Sequence, residues 1–304
     1  MIDVLCVGHA CYDLTVFVPA FPIENAKQEI SLMLESGGGP AANAASLLSQ
    51  WGISASFAGL IGDDDDGRKV IDEFRRTRTD LSLLEVRPGY PTPFSVVIVN
   101  EQNGSRTIIN RKKSESYMDR PKRVPSAINP KVILFDGHEP DASLWALEQF
   151  PLATTILDAG SLREGTRLLT DRVDYLVCSE RFTLAVTGLS SLDTADNQEA
   201  CLSALRKTCA GQIVVTMGDQ GLIYDDHGRT GRIPAYAVRT VDTTAAGDIF
   251  HGAFAYGLFK KLPLEKVLKL SSAAAALSVQ TAGGRQSIPP LMSVQEMMTR
   301  EALG

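Results

Sequence analysis

The sequence has no run of 18 apolar residues, so no membrane-spanning helix is expected, and Met1-Ile2-Asp3-Val4 lacks the basic and apolar regions of a signal peptide. Cysteine is scarce: Cys6, Cys11, Cys178, Cys201 and Cys209 are odd in number and contain no C-x-x-C pair. That excludes a disulfide framework and a zinc site and points to reduced thiols in or near the core of a cytoplasmic protein. Long basic runs are missing; the densest are Arg75-Arg76 with Arg78, and Arg111-Lys112-Lys113. With a formal net charge of -6, neither a nucleic-acid nor a membrane partner is expected. No G-x-G-x-x-G follows the first apolar run, where Gly8-His9-Ala10-Cys11 stands, which argues against a nicotinamide-dependent oxidoreductase. A Walker A sequence, internal repeats, low-complexity tracts and flexible linkers are also missing.

What is present is an average globular composition, 44% hydrophobic and 22% charged, which suffices to bury a large core over 304 residues. Residues 4–8 form a short apolar run ending in glycine, the mark of a buried first strand. Residues 13–18 and 27–35 read as extended. Gly37-Gly38-Gly39-Pro40 then breaks the chain ahead of a helix over 41–51, stopped by Gly52. A strand over 56–61 and a helix over 67–76 follow. Strands over 94–99 and 106–110, joined across Asn103-Gly104, form a hairpin, and the sequon Asn103-Gly104-Ser105 reads as its turn. From 132 onward, apolar runs at 132–135, 155–157, 175–178 and 213–216 alternate with amphipathic stretches such as 141–150 and 197–209. That pattern predicts a parallel sheet covered on both faces. Two apolar helices, 248–259 and 264–280, close the chain. The extended segments at about 12–36 and 90–112 break the alternation and are candidates for a small discontinuous β-lid on one domain spanning 1–304.

The most informative stretch is Val241-Asp242-Thr243-Thr244-Ala245-Ala246-Gly247-Asp248-Ile249-Phe250-His251-Gly252. Ala245, Ala246 and Gly247 allow close approach to the backbone, and the helix beginning near Asp248 turns its free N–H groups toward any anion placed there. A carboxylate beside such a site suits phosphoryl transfer, although Asp is also an ordinary helix cap. The segment resembles the C-terminal signature of the ribokinase-like (PfkB) sugar kinases. Gly37-Gly38-Gly39-Pro40-Ala41-Ala42-Asn43-Ala44-Ala45 is similar to their N-terminal signature, and Gly59-Leu60-Ile61-Gly62-Asp63-Asp64 and Thr216-Met217-Gly218-Asp219-Gln220-Gly221 match in order.

The resemblance implies a doubly wound, mainly parallel α/β sheet with helices on both faces and a β-lid, and transfer of the γ-phosphoryl of ATP to a hydroxymethyl group. Asp248 matches the catalytic base, and Ala245, Ala246 and Gly247 match the anion hole. Asp13, Gly38, Gly39 and Asn43 match the sugar site; Thr216, Gly218 and Gly221 match the nucleotide loop. Asp242, Thr244, Ser278, Thr281, Gly283 and Ser287 match positions where the family binds a monovalent cation, K⁺ being the expected one. Mg²⁺ is expected with ATP, although Cys178-Ser179-Glu180-Arg181-Phe182 stands where the family shows N-x-x-E. Cys11 stands where ribokinase has Asn, which argues against plain ribose, and Gly283-Gly284-Arg285 places an arginine of no assigned role beside the cation loop. G-G-G-P-A-A, F-H-G-A and G-G-R are most similar to the sulfofructose kinase branch. There, lid positions matching Lys27 and Asn110 recognise an anionic terminus, and the branch's further arginine is replaced near His138. An anionic ketose or sugar acid is therefore the first expectation and a neutral ketose the second. A nucleoside kinase of the same fold and a non-catalytic sugar sensor stay open, as does a homodimer formed through the lids.

Overall fold

The computed structural model describes residues 1–30, 32–113 and 116–301. The chain opens with β1 (Ile2–Val7), leaves the core as β2 (Cys11–Val18) and β3 (Met33–Gly38), and returns as α1 (Pro40–Gln50). Next come β4 (Ala55–Gly62), α2 (Asp65–Thr77), β5 (Asp80–Arg87) and the hairpin of β6 (Phe94–Asn100) and β7 (Arg106–Arg111). Alternation follows: β8 (Ile128–Phe135), α3 (Pro140–Gln149), β9 (Thr154–Ala159), α4 (Glu164–Leu169), β10 (Tyr175–Ser179), α5 (Glu180–Thr187), α6 (Ala195–Arg206) and β11 (Gln212–Thr216). A hairpin of β12 (Leu222–Asp226) and β13 (Arg229–Ile233) precedes α7 (Ala246–Phe259), α8 (Leu264–Ser278) and α9 (Leu291–Glu301).

Among the described residues, nine strands form one sheet in the order β13-β12-β11-β10-β9-β8-β1-β4-β5, parallel from β11 to β5. Side chains alternate across it. Val4, Cys6, Leu134, Ile156, Val177 and Val214 pack beneath α1, α7 and α8, while Leu5, Val7, Ile133, Phe135, Leu157 and Leu176 pack against α3 to α6. Burial on both faces is why these strands read as unbroken apolar runs. β1 lies between β4 and β8, so the chain winds first one way and then the other. In sheets of this kind the ligand crevice lies at the carboxyl ends of the strands where that direction switches. There the fully engaged Asp136 carboxylate accepts the amides of His9 (2.8 Å), Ala41 (3.1 Å) and His138 (2.9 Å), joining the ends of β1, α1 and β8.

The second sheet runs β3-β2-β6-β7, with β2 and β6 parallel and both outer pairs antiparallel. Its register places Ser36, Asp13, Ser95 and Asn110 side by side in one row. The predicted extended stretch 27–35 is a strand only from Met33; residues 19–30 are irregular and exposed, and Ser31 lies outside the described residues. Pro19 and Pro22 lack the N–H groups that sheet pairing needs. β5, the β12–β13 hairpin and α9 had no counterpart in the sequence reading, and α7 begins two residues ahead of Asp248.

α7 is apolar nearly all round and buries Ile249, Phe250, Ala253, Phe254 and Ala255. It meets α1 at Gly252, where an added Cβ would stand 3.1 Å from Ala44 Cα and 3.3 Å from Leu47 Cδ2. Gly252→Val is expected to lower stability by about 1–3 kcal/mol, because the overpacking outweighs the gain in helix propensity. Urea midpoints of the two proteins check this.

Candidate active site

The loop before α7 delivers Asp248 into its first turn. Ala245 caps the helix with φ 61°, a left-handed conformation that costs a non-glycine residue about 1 kcal/mol. Ala246 N donates to Thr243 O at 3.3 Å and Ile249 N to Ala245 O at 2.9 Å. The N–H groups of Gly247 and Asp248 have no acceptor within the helix, as first-turn geometry dictates. A Cβ on Gly247 would meet nothing within 4 Å, so the space before the helix mouth is open.

Asn43, in the first turn of α1, donates from Nδ2 to Asp248 Oδ2 at 2.7 Å. Its Oδ1 accepts from Arg285 Nε at 3.0 Å. The Arg285 guanidinium is buried over the Phe74 ring, pairs with Glu73 Oε2 at 3.1 Å and reaches Gly38 O at 3.5 Å. Glu73 Oε2 also takes the Gly37 amide at 2.8 Å. Arginine only donates, so it fixes which way the Asn43 amide faces and leaves the NH₂ for Asp248. Burial raises the Asp248 pKa; the Asn43 hydrogen bond, Arg106 and His251 oppose it. Asp13 sits against Gly38, where a Cβ would run into the Asp13 carboxylate, and accepts from Cys11 Sγ at 3.1 Å. Burial raises its pKa as well.

Beneath α7, His251 Nδ1 lies 2.6 Å from Gly247 O and 3.2 Å from Asp158 Oδ2, and Nε2 lies 3.1 Å from Val177 O. Burial pushes the Asp158 carboxyl up to about 7. Thr216 ends β11 beside Ser179 of β10 and opens a turn with Gly218 at φ 60° and Gly221 at φ 87°. Asp242 is fully buried and takes the amides of Thr244 and Gly283, both at 2.8 Å, tying the loop before α7 to the loop after α8. In that region Thr281 N donates to Ser278 O at 3.0 Å and Ser287 Oγ to Gly284 O at 2.7 Å. Thr244 Oγ1 is buried without a partner.

Asp13, Gly38, Gly39, Asn43 and Asp248 thus converge at one end of the crevice, with Asn110 in the row that contains Asp13. Lys27 does not join them; it stands in the exposed stretch 19–30. Sequence reasoning missed Asp136 and Glu73, and noted Arg285 without seeing that it reaches Asn43. It also missed Arg106, whose Nη1 donates to Thr243 Oγ1 at 2.8 Å and docks the lid hairpin on the loop before α7. The G-G-R triplet was the only signal for any of these.

A mainly parallel, helix-flanked sheet with a second small sheet, and a carboxylate at a helix mouth at its switch point, define a ribokinase-like kinase. The profile of the pfkB family carbohydrate kinases matches residues 1–291, and the chain belongs to that family of ATP-dependent carbohydrate kinases. It is 24% identical to the 5-dehydro-2-deoxygluconokinase of Bacillus licheniformis, covering 99% of this chain and 97% of that one. A candidate ribokinase from Agrobacterium tumefaciens superposes with a TM-score of 0.89 at 27% identity, over 99% of both chains. Arabidopsis thaliana ribokinase, solved with ribose and ATP, shares the fold with a TM-score of 0.81 at 23% identity, over 98% of this chain and 99% of that one.

Arg285→Met leaves Glu73 with only the exposed Arg76 at 3.9 Å and Asn43 free to turn, and is expected to cost about 3 kcal/mol. Denaturant unfolding of the variant measures it, with Arg285→Lys recovering only part of the loss because lysine cannot reach both partners at once.

Proposed function

We propose that the chain transfers the γ-phosphoryl of ATP to a hydroxymethyl group of a sugar, with Asp248 as the base. The observation that carries this is the Asp248 carboxylate, held through one oxygen by Asn43 at the open N-terminus of α7. The other oxygen is left to take the proton of the attacking hydroxyl. The amides at Ala245 and Gly247, joined by that of Ala246 once its 3.3 Å bond to Thr243 O opens, would meet the charge that grows on the transferred group. Asp13 accepts from vicinal hydroxyls, while Gly38 and Gly39 admit the sugar against the backbone. Asn43 orients both base and sugar, and Asn110 closes the polar row of the lid. Thr216, Gly218 and Gly221 shape the turn under the nucleotide. The G-G-G-P-A-A, F-H-G-A and G-G-R motifs support a place in the sulfofructose kinase branch.

Mg²⁺ would come with ATP and supply neutralisation of phosphate charge; Glu180, first residue of α5 beside Ser179, would act on it through water. A K⁺ site fits the Asp242 loop. That carboxylate is buried and accepts the amides of Thr244 and Gly283, and Thr244 Oγ1 is an orphan oxygen. Thr244, Ser278, Thr281, Gly283 and Ser287 would complete the oxygen set. The five cysteines are free and buried, which supports a cytoplasmic setting. The outer lid face carries Leu14, Val16, Val96 and Ile98 only half-buried and Ile109 59% exposed, which supports pairing of two lids in a homodimer.

Asp248→Asn is expected to cut kcat about a thousandfold while ATP and sugar still bind. Near-normal turnover in that variant refutes the base. Because burial raises the Asp248 pKa and activity needs the carboxylate ionised, kcat is expected to fall as pH drops through that raised value. Asn43→Ala removes the hydrogen bond that opposes the rise, so its acid limb moves to higher pH. A sugar panel scored by ADP release in KCl and in choline chloride tests acceptor and cation together. The expectation is turnover on at least one sugar, faster in KCl; equal rates in both salts remove the K⁺ site.

A further inference from the structure

Within that kinase reading one cluster has no task. Lys112 stands just past the end of β7, Arg163 in the turn after β9, His138 after β8 and His9 after β1. Lys112 Nζ and Arg163 Nη1 approach the same atom, His138 Nδ1, at 2.9 and 3.2 Å. His9 stacks on His138 with 4.5 Å between ring centroids. Lysine and arginine only donate, so Nδ1 is the shared acceptor and the His138 ring carries its proton on Nε2. The Arg163 guanidinium also donates from Nη2 to Ser161 Oγ at 2.6 Å, and its Nε is buried with no partner. Among the described residues neither cation forms an ion pair. Nearby carboxylates are held by the backbone: Asp136 by three amides, and Glu139 by the Met118 amide at 2.6 Å.

Two cations sharing one neutral acceptor in a half-dry recess repel each other; the Glu139 and Asp136 carboxylates nearby offset part of this at Lys112, and an anion seated between the two cations would offset more. A metal ion would add to the repulsion, so the paired imidazoles are not metal ligands here. Burial lowers the pKa of Lys112 and of both imidazoles, and the positive neighbours push the imidazoles down further. The cluster also lies on the acceptor's side of the crevice. Residues 41–43 touch Asp136 at one end, beside His9 and His138, and Asp248 at the other.

We propose that Lys112, Arg163, His138 and His9 form a recognition subsite for an anionic group (carboxylate, sulfonate or phosphate) carried by the acceptor at the end remote from the hydroxymethyl group that meets Asp248. This deepens the kinase reading and replaces the exposed Lys27 as the source of charge selectivity.

Initial rates on D-fructose and on its analogues bearing phosphate, sulfonate or carboxylate at C6 test it. At least one anionic analogue is expected to exceed fructose about 100-fold in kcat/KM, as two charge-assisted hydrogen bonds allow. In Arg163→Gln, and separately in Lys112→Met, that ratio is expected to fall at least about tenfold, chiefly through KM. Two variants are used because Arg163 also opens α4, whereas Lys112 lies beyond a strand end. A wild-type enzyme that prefers fructose, or variants that lower both substrates alike, overturns the subsite and leaves the kinase intact. Should no sugar turn over, the kinase reading falls. The subsite is then judged by calorimetry on the same analogues: binding lost in both variants supports it, and no binding to the wild type ends it.

Discussion

If Asp248 is to accept a proton, as proposed, its carboxylate has to stay ionised where burial favours the neutral form, and its neighbours oppose that effect of burial. Asn43 opposes protonation, but an amide is useful only if it cannot turn over. Arg285 fixes it, since a guanidinium has nothing to offer except N–H groups. Arg285 is itself buried, so it requires Glu73 and the Phe74 ring. Glu73 then has an oxygen to share with the Gly37 amide at the end of β3. Four elements and the loop after α8 are thereby committed to the orientation of one side chain.

The same device recurs at two further points. Asp136 gathers amides from the ends of β1, α1 and β8, and Asp242 gathers them from the loops flanking α7 and α8. A hydrogen bond to a charged acceptor contributes about 1.5–3 kcal/mol, roughly twice a neutral one. Carboxylates are thus effective at fixing loops that have no strand pairing of their own. The arrangement also explains a conformational cost: Ala245 is held left-handed because the loop behind it is pinned at Thr243 and Thr244.

The sequence was most legible where one period or one motif decides the outcome. The buried strands β1, β4 and β8 to β11 show as apolar runs because both their faces are covered. The helix mouth at Asp248 shows because small residues precede a carboxylate. β5 was missed because Asp-Leu-Ser-Leu-Leu-Glu-Val-Arg is only partly buried at a sheet edge, and the β12–β13 hairpin because Asp226-His227-Gly228-Arg229 interrupts two short polar strands. Arg285 could be noticed but not placed, since its partners Asn43 and Glu73 lie 242 and 212 residues away. Lys112 was noted only as part of the basic stretch Arg111-Lys112-Lys113, because its contact with His138 joins positions 26 residues apart.

β7 shows how chemistry and closure are joined. A six-residue strand spans about 20 Å. Arg106 at its start docks on Thr243, next to the mouth of α7, and Lys112 just beyond its end meets His138. One edge strand therefore carries a cation near each end, one beside the loop before α7 and one beside His138. In a chain of net charge -6 that follows from the local placement of two side chains, not from the overall balance.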